Sequence, residues 1–223
     1  MAHLTSAARH GERFFAHNDL PPHDSAASRF AVRMAEARTL LNLHRQVKDE
    51  CAGREQVIAT GRAALLSALS ALDRFIRERL IDELTKRYLA KEPELGRARP
   101  YAIDLRVLQR TAMAKSDLAW IGDCIHESFA STSFLSSDAV ADGLKYLKNG
   151  SFWAFAALAL GASEEQLRDQ LDRLIRHTFE SGEVVDLDEP SFPLREFPGG
   201  LDEAIGFVKR LAECIGEYLW VHA

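Results

Sequence analysis

The sequence predicts an all-α fold: an antiparallel helical bundle with short additional helices and a mobile N-terminal arm. Three observations predict it. Apolar residues recur every three or four positions over long stretches, the spacing of a buried helix face. Alternating strand patterns are nearly absent. Ser residues stand where several helices should start, and Gly or Pro where they should stop.

Residues 1–24 are rich in His, Ala and Ser, contain Pro21-Pro22 and show no sustained periodicity. They read as an arm preceding one helical domain over residues 25–223. His3, His10, His17 and His23 fall in that arm with no carboxylate or thiolate at ligand spacing, so they read as solvated tail residues.

From about Ser25 the rhythm becomes helical through Phe30, Met34, Ala37, Leu41 and His44, and it fades at Cys51-Ala52-Gly53. A longer helix follows from Arg54 to about Ala90. Its stripe of Leu65, Leu69, Leu72, Ile76, Leu80 and Leu84 makes it the spine of the bundle. Glu92-Pro93 and the stretch from Gly96 to Pro100 break it. Helices resume near Asp104 and near Asp117, ending before Ser131-Thr132-Ser133.

Ser136 or Ser137 can cap a short helix through Leu147, which Asn149-Gly150 stops. Ser151 starts Phe152 to Leu160, ended by Gly161. Ser163 with Gln166 three residues on forms a capping box, and Glu164 and Glu165 suit the positive end of the helix that runs to about Glu180. A loop with Pro190, Pro193, Pro198, Gly199 and Gly200 then precedes a last helix carrying Leu201, Ile205, Val208, Leu211, Ile215 and Leu219 on one face.

Composition narrows the function classes. The 223 residues are 47% hydrophobic and 27% charged, enough for one good core. The longest apolar run, Phe152 to Leu160, is about half a membrane span, and the charged, His-bearing start has no apolar signal region, so the expected compartment is the cytoplasm. A net charge of −5 argues against coating nucleic acid by bulk electrostatics but leaves a local basic cleft open. Cys51, Cys124 and Cys214 are distant from one another and read as buried, reduced thiols. No phosphate-binding Gly loop, dinucleotide fingerprint or nucleophile elbow occurs, and no cofactor or metal is called for.

Several segments carry a family likeness. The run from Arg62 to Phe75 (Arg-Ala-Ala-Leu-Leu-Ser-Ala-Leu-Ser-Ala-Leu-Asp-Arg-Phe) resembles the second helix of HEPN domains, specifically the prokaryotic RiboL-PSP-HEPN group. Ser133-Phe134 before a capped helix, Gly150-Ser151-Phe152-Trp153, and Leu171-Asp172-Arg173-Leu174-Ile175-Arg176-His177 resemble that group's approach to its catalytic helix. The similarity spans roughly Ser25 to Glu217 and is mostly hydrophobic pattern. It implies a homodimer, a prokaryotic defence or toxin–antitoxin setting, and a metal-independent endoribonuclease in which a His moves protons and an Arg stabilises charge growing on the phosphate.

The family motif is an Arg, then a polar residue, with a His about five positions after the Arg. Arg176 matches the first position and His177 the second, but Ser181 stands where the catalytic His belongs. Serine does not titrate near neutral pH and cannot shuttle protons as His does. His177 could replace it, although adjacent helical residues point roughly 100° apart. Alternatively Arg173 and His177 could form a pair on one face. Asp73 is the expected supporting carboxylate, with Arg176 as its partner; beside Arg74 and Arg77 it could equally sit at the surface.

Other readings of the same residues need no substrate. Cations are favoured at a helix C-terminus whether or not they catalyse anything. Trp120, Trp153 and Trp220, with Phe152 and Phe155, read as core or dimer-interface residues. After the motif, Glu183, Asp186, Asp188, Glu189 and Glu196 face a lone Arg195, an acidic strip that would repel RNA and suits a protein partner or a lid. The alternative to a nuclease is therefore a non-catalytic HEPN-like module that binds a partner protein, RNA or nucleotide.

Overall fold

Ser25 opens the first helix as its spacing predicts: the side chain accepts a hydrogen bond from the Ser28 amide at 3.2 Å, satisfying an amide that the first turn leaves without a partner. The computed structural model describes residues 25–50, 53–89, 105, 106, 109, 119–179, 197 and 199–220. Among them the chain forms seven helices and no strand. These are α1 (Ala26–Asp49), α2 (Arg54–Leu89), α3 (Ala119–Phe129), α4 (Ser137–Leu144), α5 (Phe152–Leu160), α6 (Glu164–Phe179) and α7 (Gly200–Trp220). The N-terminal arm, the Pro/Gly break after α2 and most of the acidic loop before α7 lie outside the described residues.

The helix starts and stops follow their local chemistry. Ser136 caps α4 through the Ala139 amide at 3.0 Å, and Ser151 caps α5 through the Ala154 amide at 3.0 Å. Gly161 ends α5 with φ at 67°, the left-handed conformation that costs glycine least. The capping box is reciprocal: the Gln166 amide donates to Ser163 Oγ at 3.1 Å and the Ser163 amide to Gln166 Oε1 at 2.9 Å. The helix over Ser137–Leu144 is shorter than the expected run to Leu147, whose last residues form turns.

The apolar stripes bury as a single core. Phe30, Met34, Ala37 and Leu41 of α1 meet Leu65, Leu69, Leu72, Ile76, Leu80 and Leu84 of α2, and all six of those α2 side chains are fully buried. Leu201, Ile205, Val208, Leu211 and Ile215 of α7 complete it, with Leu219 half-buried at the edge. His44 shares the α1 stripe because its ring is satisfied: Nδ1 lies 2.9 Å from the Val57 carbonyl, which only an N–H can satisfy. Gly61 makes room for it, since a Cβ there would stand 3.2 Å from the ring.

Cross-helix bonds set the directions. Arg29 and Arg33 reach Glu78 while His44 reaches Val57, so α1 and α2 are antiparallel. Arg45 bonds Asp202 at the start of α7, and Gly61 faces Leu201, so α7 opposes α1 and runs alongside α2 in the same direction. The far end is closed where Phe152 and Phe155 pack on Tyr218, with ring centroids at 5.6 and 5.5 Å. Cys124 and Cys214 are buried and unbridged; burial, with Glu217 and Glu213 behind it, pushes the Cys214 thiol up to about 12. Among the described residues no helix is long and apolar enough to cross a membrane.

Candidate functional site

Helix α6 buries Leu167, Leu171, Leu174 and Thr178, and this face fixes where the motif residues point. With 3.6 residues per turn, Arg173 and Arg176 fall on the exposed side, and His177 is half-buried between the two faces. Arg173 pairs with Asp169 at 3.6 Å, one turn earlier. Thr178 turns its hydroxyl back onto the Leu174 carbonyl at 2.7 Å.

The end of α6 meets α2 at a residue the sequence placed in the family-like segment without giving it a role. Arg62 Nε donates to the Thr178 carbonyl at 2.9 Å, so a guanidinium from α2 supplies the positive charge that a helix C-terminus attracts. Arg62, Arg176 and His177 thus gather around one helix turn. Ser181 and the acidic loop after it lie outside the described residues.

Asp73 is buried, at 9% exposure, which removes the surface reading. Its partner is Arg77 rather than the expected Arg176: Arg77 Nη2 donates to Asp73 Oδ2 at 2.7 Å. Asp73 Oδ1 accepts the Phe134 amide at 2.6 Å, and the same Arg77 nitrogen also donates to the Thr132 carbonyl at 2.7 Å. The physical reason is proximity within one helix. An arginine four residues on lies on the same face, and the non-helical turn before α4 needs an acceptor for its amide. Asp73 and Arg77 therefore fasten that turn to the spine, away from Arg176.

Asp172 does the same from α6. Its Oδ1 accepts the Ser137 amide at 2.7 Å and its Oδ2 the Ser137 hydroxyl at 2.6 Å, while Trp153 Nε1 donates to the Ser137 carbonyl at 3.1 Å. The sequence carries a signal for this pairing: a carboxylate between Leu171 and Leu174 on an amphipathic helix asks for donors, and Ser136-Ser137 has one more hydroxyl than a single cap needs. Of the aromatic set, Phe152 and Trp153 are core, Trp120 and Phe155 pack at its edge, and Trp220 is 74% exposed.

Comparison of the chain with protein-family models, with curated proteins and with solved structures finds no match. The likeness to HEPN domains therefore rests on the residues quoted above.

Proposed function

We propose that this chain is a HEPN-like helical module of a prokaryotic defence or toxin–antitoxin type that binds RNA at the cationic end of α6 and does not cleave it by the family's Arg/His chemistry. The observation that carries the reading is the Arg62 bond to the Thr178 carbonyl. The helix end already has its counter-charge, so stabilising the macrodipole does not require Arg176, which stands exposed on the same turn. Phosphate recognition by an exposed guanidinium is the chemistry that suits it.

Two facts support binding without cleavage. Ser181 occupies the proton-shuttle position, and Asp73 is committed to Arg77 and the Phe134 amide. His177 follows Arg176 directly and points roughly 100° away around the helix. The homodimer that the resemblance implies would give exposed Trp220 a surface to cover it.

The test incubates the purified protein with mixed cellular RNA in EDTA, beside Arg176→Ala and His177→Ala variants. Expected are intact RNA, binding that weakens as salt rises, and a loss of binding in Arg176→Ala. Products ending in cyclic phosphate, made by the parent and lost in both variants, would overturn the non-cleaving assignment in favour of an endoribonuclease with an altered motif. Salt-independent or absent RNA binding would remove RNA as the ligand.

A further inference from the structure

A second cationic surface lies away from α6. Between the first half of α1, the middle of α2 and α3 is a cleft of about 380 Å³, a volume that suits a small phosphorylated molecule. Arg29, Arg74, Arg77 and His126 line it, together with Ile81 and the acids Glu78 and Asp82.

The acids do not cancel the cations. Glu78 is held by Arg29 at 2.9 Å and Arg33 at 3.0 Å, so its charge is already matched by two guanidinium groups. Burial and the neighbouring Glu78 push the Asp82 carboxyl up while Arg29, Lys86 and Arg79 pull it down, so this acid already faces three cations of its own. Arg74 is exposed, and among the described residues neither it nor His126 has a hydrogen-bond or ion-pair partner.

Arg77 forms part of the cleft wall. One of its nitrogens fastens Asp73 and Thr132, but its Nε is buried with no acceptor. A guanidinium N–H removed from water without an acceptor is an unbalanced cost in a folded protein. Donors therefore line the cleft from two helices: the Arg74 fork, beside Arg77, from α2, and the His126 ring from α3. A carboxylate or a phosphodiester offers two terminal oxygens, whereas a phosphomonoester offers three.

We propose that the cleft between α1, α2 and α3 binds a phosphomonoester, held by Arg74 on the α2 side and His126 on the α3 side, with Arg77 in the wall between them and Ile81 against the organic portion. The dianion can belong to a free small molecule, such as a nucleoside monophosphate, or to the phosphorylated 5′ end of an RNA chain. The site does not depend on the α6 reading, because it shares no residue with Arg176 or His177.

Calorimetric titration at low salt tests it, using inorganic phosphate, AMP and a short RNA with and without a 5′ phosphate. The RNA arms are run in the Arg176→Ala background so that binding at α6 does not contribute. Phosphate and at least one organic ligand should bind saturably to the parent. Arg74→Gln and His126→Gln, both at exposed positions, should each weaken binding by at least about tenfold, while Arg176→Ala leaves phosphate binding unchanged. AMP or 5′-phosphorylated RNA, whichever shows the stronger Arg74-dependent binding, identifies the source. Absence of phosphate binding, phosphate binding without either organic ligand, or equal binding by the folded variants would each overturn the assignment; equal binding of RNA lacking the 5′ phosphate, with AMP bound, assigns the site to the free small molecule.

Discussion

The turn before α4 and the last turn of α6 both gather charged side chains at a helix end, and they use them in opposite ways. At the α4 turn both oxygens of two carboxylates have donors: Asp73 takes Arg77 and the Phe134 amide, and Asp172 takes both the amide and the hydroxyl of Ser137. At the end of α6 the carbonyl is closed from outside by Arg62, and Arg176 remains on the exposed side. A charge bonded in the interior holds structure together; a charge exposed to solvent beside a closed helix end is accessible to a ligand. Electrostatics alone does not separate the two; burial does.

The largest effect that would break this comparison is at Asp73. Asp73→Ala should cost about 3–5 kcal/mol, because it takes the carboxylate away from Arg77 and leaves the buried Phe134 amide without its acceptor. Asp172→Ala should cost less, about 1–3 kcal/mol, since the Ser137 hydroxyl can turn to another partner or to water. Urea unfolding of both variants measures the order. A cost under about 1 kcal/mol for Asp73→Ala would mean that the carboxylate is not the fastening.

Packing under the same turn gives the next effect. A Cβ at Gly143 would lie 2.6 Å from Phe134 Cε1 and 3.1 Å from Leu80 Cδ1, so Gly143→Ala should cost about 1–3 kcal/mol through overpacking. Shrinking the obstructing ring should return part of that cost, making Gly143→Ala less harmful in a Phe134→Leu background than alone. Additive costs in that double-mutant cycle would show that the ring is not what the new methyl meets.

Most of the helices were legible because their signals are local and repeated. The α1 and α2 stripes name the residues that are buried, and Ser25, Ser151 and the Ser163–Gln166 box mark starts whose bonds are made as the spacing implies. The partners of Asp73 and Asp172 were not legible, since Phe134 and Ser137 lie 61 and 35 residues away and nothing in the spacing announces the pairing. Arg77 could have been chosen over Arg176 on geometry alone, being one turn from Asp73 on the same face. Arg176 is the partner that the family likeness implies. The cleft of Arg74 and His126 had no sequence signature, because α2 and α3 meet there through tertiary packing of segments that look unremarkable singly.

The smallest effect is the one that sharpens the reading of α6. Arg62 and Arg176 are both arginines at the same helix end, so a purely electrostatic account treats them alike. The structure separates them: Arg62 makes a charge-assisted bond to a backbone carbonyl at 2.9 Å across two helices, while Arg176 is exposed. Arg62→Gln should therefore cost about 1.5 kcal/mol and raise hydrogen exchange in the last turn of α6. Arg176→Ala should stay within about 0.5 kcal/mol of the parent and leave exchange there unchanged. Matched losses in both variants would make Arg176 part of the helix-end scaffold and remove the reason to assign it a ligand. A loss confined to Arg62→Gln would leave Arg176 with no stabilising task at the helix end, the condition under which its exposure calls for RNA binding.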